Sequence, residues 1–269
     1  MLLYIPPVAA AIQAAMVTRQ GKWGEIRRMA GSKWAFSALV GFLNPFLYYN
    51  VLFVGYDLLL TQEATTINFL WPIVLVVLSA VVFRQRLTVK TLAALLLGFC
   101  GVLVITTKGD PASLHFRSIR GVLLMLATTV IWSVFWILNM KDERPPSVKL
   151  FLGFSFGLLF SFLLWLFFLP HRKPPLEGLL GCLWAGVFEM GLTFFLWLGA
   201  LSLAEKTAHV ANLIFLTPFL ALFWINLAVG ERILPSTLFG LALIVAGIAC
   251  QKWAERSEMP RKEGVRRAT

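Results

Sequence analysis

Charge is what this 269-residue chain has least of. Asp, Glu, Lys and Arg together make up 14% of it, against about 25% in an ordinary soluble domain, which excludes a soluble globular fold. Cysteine and histidine occur three times each. Cys100, Cys182 and Cys250 all fall within apolar runs without paired spacing, so neither a disulfide frame nor a zinc site is indicated. His115, His171 and His209 form no cluster, and no metal is expected. Gly-x-Ser-x-Gly, His-Glu-x-x-His and the Lys-bearing phosphate loop are missing. No stretch between apolar segments is long enough for an ATP-binding domain. These absences point away from an enzyme and from any cofactor. A membrane-embedded enzyme would need convergent titratable groups at one depth, and only Glu189 qualifies.

What the chain has is apolar length. Hydrophobic residues make up 59% of it. Nine apolar segments can be read, at about 2–17, 35–60, 64–83, 89–107, 119–140, 149–169, 178–202, 207–229 and 235–251. Most reach the roughly 20 residues that cross a hydrocarbon core as helix. The first is short and holds Pro6-Pro7, but it lacks the basic flank of a signal peptide and is read as a membrane helix. The expected fold is an all-α membrane bundle of about nine transmembrane helices.

The net charge of +11 raises the question of nucleic acid, and its placement answers it. With loops assigned to alternate sides, 18 Lys and Arg fall on one side and 6 on the other. That bias is the positive-inside signal. It places the C-terminus in the cytoplasm and the chain in the plasma (inner) membrane as a multi-pass protein. No nucleic-acid partner is expected.

The chain also repeats itself. Residues 64–104 and 210–250 align without gaps, setting Pro72 on Pro218, Arg86 on Arg232, Thr91 on Thr237 and Gly101 on Gly247. Further back, with a one-residue shift, Asn44 falls on Glu189. Equivalent segments lie five crossings apart. Five is odd, so the halves insert in opposite orientations, the inverted repeat of a two-half transporter. Residues 1–108 form a first half of four segments, 119–252 a second half of five, and 253–269 a basic cytoplasmic tail. Segment 119–140 has no counterpart, so the expectation is a first helix lost by truncation, with a native nine-helix form as the alternative.

Polar groups within the apolar segments mark a candidate cavity. Glu189 lies near the middle of segment 178–202, where a charge costs roughly 2.5–3.5 kcal/mol to insert and therefore faces a cavity or a partner. It could exchange a proton or meet a cationic substrate group. Glu189, Thr193 and Trp197 fall at i, i+4 and i+8. Asn44 and Tyr48 pair in the same way, and Asn68 with Trp71, Asn212 with Phe215, and Trp132 with Trp136 and Asn139 are spaced likewise. Together they describe an aromatic-walled cavity with scattered hydrogen-bonding groups. Each residue alone also fits interhelical packing. Pro45, Pro72 and Pro218 interrupt backbone bonding mid-helix and read either as gating kinks or as static bends. Gly98, Gly101, Gly240 and Gly247 permit close helix contact, between the halves or in a homodimer. Asp57 and Glu63 read as solvated.

The two proline-centred segments, Asn68 to Phe83 and Asn212 to Ala228, are each followed by a charged turn, Arg86 or Glu231-Arg232, and a glycine-bearing helix. With the Trp132 to Trp136 motif, they make the chain resemble the EamA-like branch of the drug/metabolite transporter superfamily. The resemblance implies ten helices in two inverted five-helix halves around a central cavity, the first helix being absent here. It implies secondary transport, by alternating access, of a small polar or amphipathic metabolite, amino acid-like and exported, with proton coupling open. The partners are then a small-molecule substrate and the lipid bilayer. The competing reading is a non-transporting membrane scaffold.

Overall fold

A computed structural model describes residues 1–116, 118–168, 175–229 and 234–258. These residues are helical, with no strand among them. The helices are α1 (Ile5–Arg19), α2 (Trp23–Arg27), α3 (Gly31–Gly41), α4 (Tyr48–Leu58), α5 (Thr61–Asn68), α6 (Trp71–Val82) and α7 (Val89–Thr106). They continue as α8 (Ile119–Lys141), α9 (Pro146–Phe168), α10 (Leu176–Trp184), α11 (Phe194–Leu203), α12 (Thr207–Ala211), α13 (Thr217–Val229) and α14 (Pro235–Glu258). Several of these are pieces of one longer rod. Gly31–Leu58, Glu63–Val82, Val89–Thr106, Ile119–Lys141, Pro146–Phe168 and Leu176–Leu203 are long and apolar enough to cross a membrane. Thr207–Ala221 and Pro235–Gln251 are shorter apolar helices. In lipid a segment must satisfy its own backbone groups, which is why apolar length resolves into helix here.

The rods end on local signals. Gly21, at φ 64°, takes the left-handed turn that releases the chain from α1. The Thr88 hydroxyl accepts from the Thr91 amide and starts α7, and Ser118 does the same for α8 through Gly121. Glu63 departs from its expected place in solvent. It is buried, and its Oε2 accepts from the Leu60 amide at 3.0 Å, closing the first turn of α5. Asp57 is exposed, as expected.

Two places break the α-pattern inside a rod. Between α3 and α4, residues Phe42–Leu47 hold an extended Asn44 (φ −149°, ψ 125°) followed by Pro45. Between α10 and α11, residues Ala185–Thr193 run as π-helix without a break. Pro72 and Pro218 are not mid-helix. Each is the second residue of a new helix, α6 or α13, after a turn at Phe69-Leu70 or a 3-10 stretch at Asn212–Leu216. A proline in a first turn removes a donor that had no partner anyway, so these two mark joints between helices.

The core runs through the middle of the bundle, around Trp136, Phe135, Phe154, Phe215, Leu75 and Met125. Helix α8 packs against α4 and α6, α1 against α9 and the π-helical stretch, and α7 against α14. The charged turn at 230–233 and the tail from 259 lie outside the described residues, as do Arg117, His171, Arg172 and Lys173. His, Cys, Asp and Glu form no group able to hold a metal ion among the described residues.

Candidate functional site

A cavity of about 300 Å³ opens between α4, the α5–α6 joint, α8, the π-helical stretch and the start of α13. Its walls are Tyr48, Tyr49, Leu52, Tyr56, Thr65, Asn68, Phe69, Trp71, Trp132, Glu189, Ile214 and Thr217. Five of the residues expected from sequence therefore meet there: Tyr48, Asn68, Trp71, Trp132 and Glu189. Asn68 Nδ2 donates to the Tyr48 hydroxyl at 3.4 Å, and the Tyr48 ring lies 4.4 Å from that of Trp132. Tyr49, which the spacing argument missed, is buried and donates its hydroxyl to Glu189 Oε1 at 2.7 Å. Glu189 itself is exposed where the cavity opens.

Beyond these walls the aromatics close into a layer. Trp132 sits 6.0 Å from Trp71 and 5.7 Å from Trp136, and Trp197 sits 5.8 Å from Trp71. Phe194 packs on Trp132 and Trp136. Trp136 and Trp197 support the walls without lining the cavity. The indole N–H groups of Trp132, Trp136 and Trp197 have no acceptor.

Three expected residues stand elsewhere. Thr193 is exposed, and its hydroxyl donates to the Phe188 carbonyl five residues back at 2.6 Å. That hydroxyl is spent on the backbone of its own π-helical stretch, and Thr193 is not among the cavity walls. Asn212 is buried against Gly98 and donates to Gln251 Oε1 at 2.6 Å, binding the 3-10 stretch to α14. Asn44 is fully buried with neither side-chain amide atom bonded, while Pro45 packs on Gly157. Of the prolines, Pro45 and Pro72 are buried and Pro218 partly so.

At the far end of α8, past the aromatic layer, lies a charge cluster. Arg144 Nε donates to Asp142 Oδ2 at 2.8 Å and to Oδ1 at 3.0 Å, and Nη2 also reaches Oδ2. Arg144 Nη1 donates to the Ser37 hydroxyl of α3 at 2.9 Å. The Lys149 ammonium, buried on α9, donates to the Asn139 and Asp142 carbonyls at 2.7 Å and so caps α8. Burial alone would raise the Asp142 carboxyl, but the Arg144 fork and the Lys149 charge outweigh it and hold the group below its ordinary value.

A larger groove of about 430 Å³ lies between α2, α3 and α9, lined by Trp23, Trp34, Phe151 and Phe156 among others, and it carries no titratable group. The convergence of polar groups with one carboxylate falls on the smaller cavity.

The EamA-like transporter family model matches residues 4–107 and 119–251. The uncharacterized transporter YvbV of Bacillus subtilis (strain 168) is 28% identical over 222 residues, 80% of this chain and 70% of that protein. The aromatic amino acid exporter YddG of Ancylobacter novellus is 27% identical over 154 residues, 56% of this chain and 53% of that protein. One solved crystal structure aligns with a TM-score of 0.80 at 23% identity, covering 95% of this chain and 87% of that one. That likeness is one of fold.

Proposed function

We propose that this chain, which belongs to the EamA-like transporter family, is a secondary transporter that moves a small polar or amphipathic metabolite through the cavity at Glu189 by alternating access. The chain is a multi-pass integral membrane protein, a transporter of a small molecule and not an enzyme. The observation that carries the mechanism is where the cavity lies. Tyr48 to Trp71 come from residues 1–108, and Trp132, Glu189, Ile214 and Thr217 from 119–252, so the two proposed halves share its walls.

A pseudo-twofold seam supports the inverted, four-plus-five arrangement. A Cβ on Gly101 would strike the Gly240 carbonyl and Ile244. A Cβ on Gly247 would strike the Ala94 carbonyl, at 2.7 Å, and Gly98. Under the gap-free alignment Gly101 becomes Gly247, Ala94 becomes Gly240 and Gly98 becomes Ile244. The two contacts are therefore one contact exchanged, with α7 and α14 antiparallel. The non-α backbone at Phe42–Leu47 and Ala185–Thr193 falls at equivalent positions too. In this reading all nine apolar segments cross the bilayer. The cavity faces the 58–63 turn, the outer side, and is closed inwards by the aromatic layer and the Asp142–Arg144 cluster. An amino acid-like substrate and export direction draw support from the aromatic walls and from the named activity of the Ancylobacter relative.

The test is transport by purified protein in liposomes. Glu189→Gln keeps the shape of the side chain and removes its charge and proton. The other titratable groups on the walls are Tyr48, Tyr49 and Tyr56. The variant should slow transport about tenfold or more, the worth of a charged hydrogen bond, and flatten its pH dependence, while Asp57→Asn changes little. An unaltered rate and pH profile would leave Glu189 as packing. Topology is tested separately. A reporter active only in the cytoplasm, fused after Thr269, should be active, and an external signal would reverse the orientation.

A further inference from the structure

We infer that the Glu189 cavity selects a primary amine with an aromatic or apolar body and discriminates against the corresponding amino acid. This charge rule rests on the reading of that cavity as the substrate site and departs from the amino acid-like substrate proposed for it: the aromatic body and the amine are kept, and the free carboxylate is rejected.

Six of its wall residues are aromatic: Tyr48, Tyr49, Tyr56, Phe69, Trp71 and Trp132. Among the described lining residues Glu189 is the only carboxylic acid, and no Lys, Arg or His stands there. An ammonium entering this space meets a carboxylate at one end and the negative faces of aromatic rings around it, the arrangement that attracts organic cations. The apolar body then replaces water against Leu52, Phe69 and Ile214.

A substrate carboxylate meets the opposite field. Its available donors are neutral: Asn68 Nδ2, already turned to Tyr48 at 3.4 Å, the unpartnered Trp132 indole N–H, and hydroxyls of Tyr and Thr. None supplies a compensating positive charge. A volume of about 300 Å³ also keeps the two carboxylates within roughly 8 Å of each other, where like charges near a protein surface repel on the order of tenfold in affinity. Tyr49 orients the Glu189 carboxylate through the 2.7 Å bond, leaving the other carboxylate oxygen for the incoming ammonium.

The experiment measures binding of tryptamine, tryptophan and tryptophan methyl ester to the purified full chain in detergent, then their movement in liposomes. Tryptamine and the ester should bind at least tenfold more tightly than tryptophan. Glu189→Gln should remove that preference, and Asp57→Asn, exposed and outside the cavity, should retain it. Tryptophan binding as tightly as tryptamine, or no binding of tryptamine at all, overturns the inference from the unaltered protein alone, whatever the variants do. The outcomes separate the two readings. Selective tryptamine binding without movement sinks transport through this cavity and leaves the charge rule standing. Movement of tryptophan in preference to tryptamine sinks the charge rule and leaves transport standing.

Discussion

Asp142→Ala is expected to destabilise the protein by about 3–5 kcal/mol, the cost of breaking a buried ion pair from one side. Asp142 is 6% exposed, and the Arg144 side chain 13%. Removing the carboxylate leaves the guanidinium facing Ser37 with no counter-charge, close to the buried Lys149 ammonium. Thermal unfolding in detergent should fall by roughly 6–20 °C. The double variant Asp142→Ala/Arg144→Met should recover most of the loss, because a removed pair costs little where a halved pair costs much. A double variant no more stable than the single would show that the cluster is not a coupled unit. The pH dependence has a definite sign. The Asp142 carboxyl is held below its ordinary 3.8 when folded. Its contribution is therefore fully present above about pH 4 and is lost as pH falls through the lower folded value. Acid should weaken the native protein more than Asp142→Ala, which has nothing left to protonate there.

Gly101→Ala is expected to cost about 3 kcal/mol through overpacking and to lower the same thermal transition by roughly 6–12 °C. The added methyl meets the carbonyl oxygen of Gly240 and the backbone of Ile244. A side chain could turn aside, but two helix backbones in contact can only separate. Gly247→Ala should act alike, since Ala94 and Gly98 stand in the corresponding places. Gly199→Ala is the control. Nothing lies within 4 Å of a Cβ there, and alanine should gain about 0.5–1 kcal/mol of helix preference. Equal behaviour at 101 and 199 would mean that α7 and α14 are not in backbone contact.

The membrane class was legible because apolar run length is a direct requirement of lipid, and the family because the proline-centred segments recur with their charged turns. The site was legible where a polar or aromatic side chain stood alone in an apolar run, as with Asn68, Trp71, Trp132 and Glu189. It failed where phase was assumed. Counting by four from Asn44 crosses an extended residue, so Tyr49, one place beyond Tyr48, escaped notice although it holds Glu189. Four places after Glu189, Thr193 turns its hydroxyl to the Phe188 carbonyl and stands off the cavity walls, a backbone bond that spacing does not show. Asn212 looked like a cavity residue because its partner, Gln251, lies 39 residues away. Glu63 looked solvated because it sits at a helix end, and Asp142 drew no notice there. Both are buried there by partners the spacing does not show: the Leu60 amide at the helix start for Glu63, the Arg144 guanidinium for Asp142.

The π-helical stretch Ala185–Thr193 carries surplus chain. Each of its turns holds one residue more than an α-turn, and the excess has no fixed address along a helix. If the widened turn migrates, every residue it passes swings by about 100° around the axis. Glu189 lies inside the stretch, so such a migration would carry its carboxylate away from Tyr49. The paired stretch Phe42–Leu47 is π-helical too, but it is interrupted. Its equivalent position is spent on a fixed corner at Asn44 and Pro45. The two segments that the sequence alignment pairs thus differ in backbone: one carries a fixed corner, the other a widened turn.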